Sequence, residues 1–273
     1  MLLEGRYQLQ DPIGRGGMAI IYRGQDLKTG RSVAVKILRE TYSADSKFVT
    51  RFQHEAKVMI ALQHPNVVQV YGYGHTDGYY FIVKELVAGT DLHRYLRVRG
   101  VLGIDDAISI VRNIILGLEV VHQHSIVHRN IKPQGILIGN DGSIKLTDVG
   151  IANIYKAIDA ERLTTTSLMI GCIQYYAPEQ VQGANVSPAT DIYALGIVMY
   201  EMLTGCTPFN GDTPIAMSMQ HIHNLPVPPR QLNSNIPAAL EQIILRCLGK
   251  VPAMRFSNSS EMLYALKTLS KNE

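Results

Sequence analysis

A glycine-rich run, GRGGMA from Gly14, lies between two segments rich in β-formers, and glycines at 14 and 16 let backbone N–H groups approach a phosphate. Taken alone, such a run is as well read as a glycine-rich hairpin turn. Further on, VAVK ends in Lys36, and Glu55 sits on a segment of helical spacing. A strand and a helix can therefore present an ion pair that aims the lysine at phosphates. For any single Lys and Glu the ordinary alternative is a solvated surface pair. His122, His124 and His128 have the look of a metal cluster, but no nearby carboxylate completes a site and zinc is not expected.

The elements that must hold these residues follow from periodicity. RYQLQDPIG, AIIYRGQD, RSVAVKILR, VVQVYGYG and YYFIVKELV are short β-rich segments separated by Gly, Asp and Thr-Gly turn signals, which predicts a small, mostly antiparallel sheet. One helix interrupts it over residues 47–62, with Phe48, Phe52, Ala56, Met59 and Ile60 at spacings of three and four. After Gly89 the spacing turns helical, in DLHRYLRVRG, IDDAISIVRNIILGLEVVHQH, DIYALGIVMYEMLTG and IPAALEQIILRCLGK. A β-rich amino-terminal lobe followed by a larger helical lobe is expected. Residues 140–180 have weak periodicity, which in a compact domain marks a functional loop.

Composition sets the bounds. With 273 residues the chain can bury a large core, as one bilobal unit or as two domains. Its net charge of +3, without a run of like charges, says nothing about partners and gives no sign of a nucleic-acid arm. Cys172, Cys206 and Cys247 are scattered and lack CxxC spacing, which argues for a reducing, cytoplasmic setting. Apolar runs are broken before membrane length, as by Arg112 and Glu119, and the amino terminus lacks a signal-peptide layout, so no membrane contact is expected of this segment.

Taken in order, the motifs resemble the bacterial eukaryotic-like serine/threonine protein kinases over nearly the whole chain. The matches are Gly14-x-Gly16, Lys36 of VAVK, Glu55, HRN at 128–130, DVG at 148–150, APE at 177–179, DIYALG from Asp191, and Arg255 in PAMRF. The resemblance implies an α+β, bilobal protein-kinase fold as a single domain over 1–273, with the amino-terminal lobe at about 1–86 and the hinge and helical lobe at about 87–270. It implies that Glu85 and Val87 offer hinge backbone groups to adenine, that Ile13, Ile21, Ala34 and Leu137 pack on the ring, and that Asp91 falls at the ribose. Residue type alone makes those apolar positions ordinary core. His128 and Asp191 correspond to residues that anchor the catalytic loop, and Glu179 with Arg255 to a buried carboxylate–guanidinium pair.

The departures fall on the chemistry. The family has an aspartate base at the position of Asn130 and a metal-binding asparagine at that of Gly135. An amide cannot take a hydroxyl proton, and glycine offers magnesium no side-chain oxygen. Lys132 and Asp148 remain, so the catalytic set is a degenerate Asn130, Lys132 and Asp148, with Asp148 the one side-chain metal ligand. Ala19 replaces the third loop glycine, Val149 the usual phenylalanine, and Cys172 a threonine tied to substrate seating. Lys84 aligns with the back of the adenine pocket, where it either competes with Lys36 for Glu55 or Asp148 or snorkels past the ring and obstructs it. Thr164 and Thr166 match activation-loop phosphoacceptors, and Arg129 can pair with such a phosphate. The expectation is a catalytically impaired regulatory or scaffolding module. Its cofactor is ATP or ADP bound weakly or not at all, with magnesium weak or absent. Its partner is a protein, either an active kinase or another signalling protein, and a homodimer is a further option. The alternatives are a slow but active Ser/Thr kinase and, behind it, another nucleotidyl or phosphoryl transfer run by Lys36 and Asp148.

Overall fold

The computed structural model describes residues 1–149 and 173–269. Six strands, β1 (Leu2–Leu3), β2 (Tyr7–Arg15), β3 (Ala19–Asp26), β4 (Arg31–Leu38), β5 (Val70–Thr76) and β6 (Tyr79–Glu85), form one antiparallel sheet in the order β1-β2-β3-β4-β6-β5. The five sequence-predicted strands match β2 to β6. Strand β4 is buried continuously from Val33 to Leu38 because it lies between β3 and β6 with both faces covered, which its β-branched residues tolerate. The β5–β6 hairpin turns at Asp77 and Gly78, both with positive φ, and the Asp-Gly pair is the sequence suited to that backbone.

A single-turn helix α1 (Glu40–Ser43) leads into α2 (Ser46–Ala61), one residue off the expected helix at each end. Asp45 caps α2 by accepting the Lys47 N–H at 2.9 Å. Its Phe52, Ala56 and Met59 are buried in one cluster with Leu38, Ile82 and Val149. The larger lobe holds α3 (Leu92–Arg99), α4 (Ile104–Gln123), α5 (Pro178–Val181), α6 (Pro188–Thr204), α7 (Pro214–His223), α8 (Pro229–Leu232), α9 (Ala238–Cys247) and α10 (Ser259–Leu269). Helix α6 is buried almost all round, with Ala189 to Tyr200 inside the core, and ends at Gly205, whose φ of 79° suits a residue without Cβ. This α+β, bilobal arrangement is the protein-kinase fold that the sequence implied.

Two joints position the site. Asn66 lies between the lobes, its Nδ2 donating to the Ile144 carbonyl at 2.8 Å and to Asn113 Oδ1 at 3.0 Å. A small sheet of β7 (Gly89–Asp91), β8 (Ile136–Gly139) and β9 (Ile144–Leu146) then bonds to residues 66–68, with Leu146 N–H on the Asn66 carbonyl and Val68 N–H on the Leu146 carbonyl. Close approach here requires Gly117 of α4, where a Cβ would stand 2.7 Å from the Asn66 carbonyl oxygen. Thr147 and Asp148 follow directly and are carried beneath the six-stranded sheet.

Deep in the larger lobe, buried His221 of α7 sits against Tyr193, its Nδ1 3.0 Å from the phenol oxygen, and beside Phe209. Burial, helped by Lys250, lowers its pKa from the ordinary 6.5 to about 3. Between those two values the unfolded chain binds a proton that the folded chain refuses. Stability from this group is therefore complete above about pH 6.5 and is lost as pH falls toward 3. Urea midpoints measured from pH 7 to pH 4 should fall, and His221→Gln should flatten that slope. An unchanged slope in the variant would remove His221 from the explanation.

Candidate active site

Strand register brings the two lysines together. Lys36 of β4 pairs with Ile82 of β6, and Ala34 pairs with Lys84, so Lys36 and Lys84 lie on one face as diagonal neighbours. Lys36 Nζ donates to Glu55 Oε1 of α2 at 3.1 Å and to Asp148 Oδ1 at 3.0 Å. Lys84 Nζ donates to that same Oδ1 at 3.1 Å and to Thr147 Oγ1 at 3.1 Å. Lys84 thus shares Asp148 with Lys36, the competition that the sequence held open beside obstruction of the pocket. It forms no hydrogen bond with Glu55.

Lys36, Lys84 and Glu55 are buried, and Asp148 is reached with a positive φ of 63°. Burial alone would raise the Asp148 pKa, but the charges of Lys36 and Lys84 hold it well below the ordinary carboxylate range. Burial likewise opposes the Lys36 charge, and Asp148 and then Glu55 overcome it, raising its pKa above the ordinary value. Glu55 is pushed up by burial, and its Oε2 has no hydrogen-bond partner among the described residues. Val149, where a larger phenylalanine is usual, is fully buried against the α2 residues Phe52, Ala56 and Met59. The smaller side chain thus keeps its packing contact with that helix.

The loop from His128 is held from below. Asp191 of α6, wholly buried, accepts the backbone N–H groups of His128 and Arg129 at 2.8 and 2.7 Å, and His122 Nε2 lies 2.8 Å from its Oδ2. The histidines thus serve the scaffold: His122 and His128 converge on Asp191, while His124 bonds back to the Val120 carbonyl. Arg129 has φ 65°, and its carbonyl accepts from Gln180 Nε2. Asn130 follows, 8% exposed, its N–H donating to His128 Nδ1.

Gly135 ends a 3₁₀ turn (Pro133–Gly135), and its carbonyl accepts the Thr147 N–H at 3.0 Å. A Cβ there would meet only the Thr147 and Asn130 carbonyl oxygens, at 3.6 and 3.7 Å, so neither space nor backbone demands glycine. Magnesium fits these residues poorly. Gly135 contributes no ligand, Asp148 Oδ1 already accepts from two ammonium groups whose charge opposes a cation, and no group of three His, Cys, Asp or Glu among the described residues is arranged to hold a metal.

On the adenine side, Ile21 and Leu137 are half-buried, Ile13 is exposed and Ala34 is buried on the sheet. Strand pairing of β6 stops at Glu85, which leaves Val87 outside the sheet between Glu85 and β7. The Glu85 carboxylate is tied to Lys145 at 3.0 Å, and Asp91 caps α3 by accepting the Arg94 N–H at 2.9 Å. In the glycine loop, Gly14 pairs with Ile21, and the Gly16 carbonyl accepts from the Arg39 guanidinium. Thr147, which directly precedes Asp148, and Lys145, which holds the Glu85 carboxylate, were missed as site residues. Thr164, Thr166, Cys172 and Gly150 lie outside the described residues.

Far from the cleft, Arg255 Nη1 and Nη2 grip Glu179 Oε1 and Oε2, both at 2.8 Å, with both residues buried. Among known proteins, a family model described as the protein kinase domain matches residues 7–267. A probable serine/threonine-protein kinase of Clostridium acetobutylicum is 39% identical over 99% of this chain and 41% of its own length. The serine/threonine-protein kinase PrkC of Bacillus subtilis is 39% identical over 97% of this chain and 41% of its own length. The chain thus spans about two-fifths of these curated relatives. The crystal structure of the PknI kinase domain of Mycobacterium tuberculosis superposes with a TM-score of 0.78 at 26% identity, covering 99% of this chain and 98% of that one. With a family match across most of its length and bacterial serine/threonine kinases as relatives, the chain belongs to the protein kinase family.

Proposed function

We propose that this domain is a catalytically impaired kinase that acts as a regulatory or scaffolding module, binds an adenine nucleotide weakly, and engages a protein partner. The observation that carries the reading is the pairing of an intact loop scaffold with a disabled loop. Asp191 holds His128 and Arg129 in place, yet the next residue is the amide Asn130 and the metal-binding position is Gly135. A neutral amide orients a hydroxyl without accepting its proton. The nucleotide-binding part rests on Lys36, the glycine loop and the partly open apolar positions Ile13, Ile21 and Leu137. Among the described residues no helix is long and apolar enough to cross a membrane.

The second reading is a slow Ser/Thr kinase, favoured by the names of its relatives and by the formed Lys36–Glu55 pair. Restoring the loop separates the two. Asn130→Asp with Gly135→Asn should fold, because the Cβ at 135 has room, and should gain less than about tenfold in peptide phosphorylation while Lys84 still occupies Asp148. Adding Lys84→Met should raise activity further. Full recovery by the loop pair alone would show that Lys84 does not limit the chemistry.

A further inference from the structure

The four charged side chains beneath the sheet balance without a metal. Lys36 and Lys84 supply two positive charges, Glu55 and Asp148 two negative ones, and all four are joined through Lys36 Nζ and Asp148 Oδ1. Take Lys84 away and the cluster is left with one excess negative charge, next to where the phosphates of a nucleotide would lie. That excess negative charge repels them, and a divalent ion is the usual remedy. Here the remedy is covalently attached to the chain. Lys84 reaches Asp148 from a central strand, is only 5% exposed, and is fixed by a second acceptor, Thr147 Oγ1, so its position is built in. A magnesium ion seated on Asp148 would stand beside the two ammonium groups that already share its Oδ1, without help from Gly135.

We propose that Lys84 is the resident counter-cation of this cleft, so that the cleft takes an adenine nucleoside di- or triphosphate as the metal-free anion and magnesium does not strengthen the binding. This rests on the nucleotide-binding part of the reading above and adds to it the ionic form of the ligand and the residue that sets it. Magnesium lowers affinity where it competes for the free nucleotide, since the complexed phosphates carry less charge to meet Lys36.

The test is calorimetric titration of the full chain with ATP and with ADP, each in chelator and in magnesium, for wild type, Lys84→Met, Lys84→Arg and the pair Lys84→Met with Asp148→Asn. Wild type should bind as tightly in chelator as in magnesium, or more tightly. Lys84→Met should weaken metal-free binding roughly tenfold or more, the scale of one lost charge-assisted contact, with magnesium recovering part of it. Lys84→Arg should keep the wild-type response, and Asp148→Asn in the Lys84→Met background should restore metal-free binding, because the repelling carboxylate is gone. Tighter binding by wild type in magnesium overturns the proposal. So does a Lys84→Met protein that binds better in chelator, which would make Lys84 an obstruction. Absence of nucleotide binding under every condition also overturns it, while leaving the impaired-catalysis reading to stand on transfer assays alone. If Lys84→Met fails to fold, the wild-type comparison of chelator with magnesium decides. Lys36-dependent phosphoryl transfer, by contrast, would sink the reading beneath and not the metal preference itself.

Discussion

Arg255→Met should lower stability by about 3–5 kcal/mol, the largest single-residue effect on the fold expected here. Arg255 does more than pair with Glu179. Its guanidinium also donates to the carbonyls of Gly249, Ala189 and Lys250, so it ties the segment before α10 to the start of α6 and to the buried end of α5. Truncation leaves the Glu179 carboxylate buried with Thr190 Oγ1, at 2.8 Å, as its remaining side-chain donor. Burial alone would raise the Glu179 pKa, and Arg255 holds it below the ordinary value. The variant should therefore regain part of its lost stability as pH falls and Glu179 takes up a proton. Its melting temperature should drop on the order of 10 °C. Glu179→Met with Arg255→Met should cost clearly less than the sum of the two single changes, because neither partner is left uncompensated. Additive losses would mean that the pair is not the coupled unit its geometry indicates.

Turnover should lie roughly 10⁴- to 10⁶-fold below the usual 1 to 100 per second of a protein kinase. A missing general base is worth about 10² to 10⁴, and one missing electrostatic contact to a transferring group about 10² to 10³. Both losses act on the same step, so they combine incompletely, and the expectation is on the order of one event per hour. The contact of Lys84 with Asp148 works in the same direction, since two ammonium groups already lie on Oδ1 of the remaining carboxylate before any metal arrives. A coupled assay of ADP release, run for hours with magnesium and ATP, should not exceed the rate of an Asp148→Asn control. A rate of even one per minute that vanishes in the control would place the loss well below this range.

Much of this architecture was legible because local pattern and tertiary environment agree. The continuous apolar run of β4, the Asp-Gly turn between β5 and β6, and the spacing of Phe52, Ala56 and Met59 each dictate the element that forms. The small sheet of β7, β8 and β9 was not legible. Its strands are three or four residues long, and β7 is separated from β8 by two helices. Helix α7 was also passed over, although Thr213 at its N-cap, accepting the Ala216 N–H, followed by Pro214, is a recognisable start signal.

At the site, motif order located Lys36, Glu55 and Asp148. The pairing of Lys84 with Asp148 could not be read across a separation of 64 residues. It is fixed by the β4–β6 register, which sets Lys84 opposite Ala34 on the face of Lys36, and by the lobe joint at Asn66 that brings Asp148 underneath. The roles of His122 and His128 were clearer, because a buried aspartate on a central helix needs donors and the loop backbone supplies them.

The central claim is that this kinase fold has lost phosphoryl transfer while keeping its frame. Its most direct test is incubation of the purified chain with ATP labelled at the γ-phosphate, in magnesium, alone and with generic protein substrates, beside a Lys36→Met control and a parallel reaction labelled at the α-phosphate. The account predicts no γ-label on either protein above the control. Robust γ-label incorporation that depends on Lys36 would contradict it, and Lys36-dependent α-label would point instead to nucleotidyl transfer.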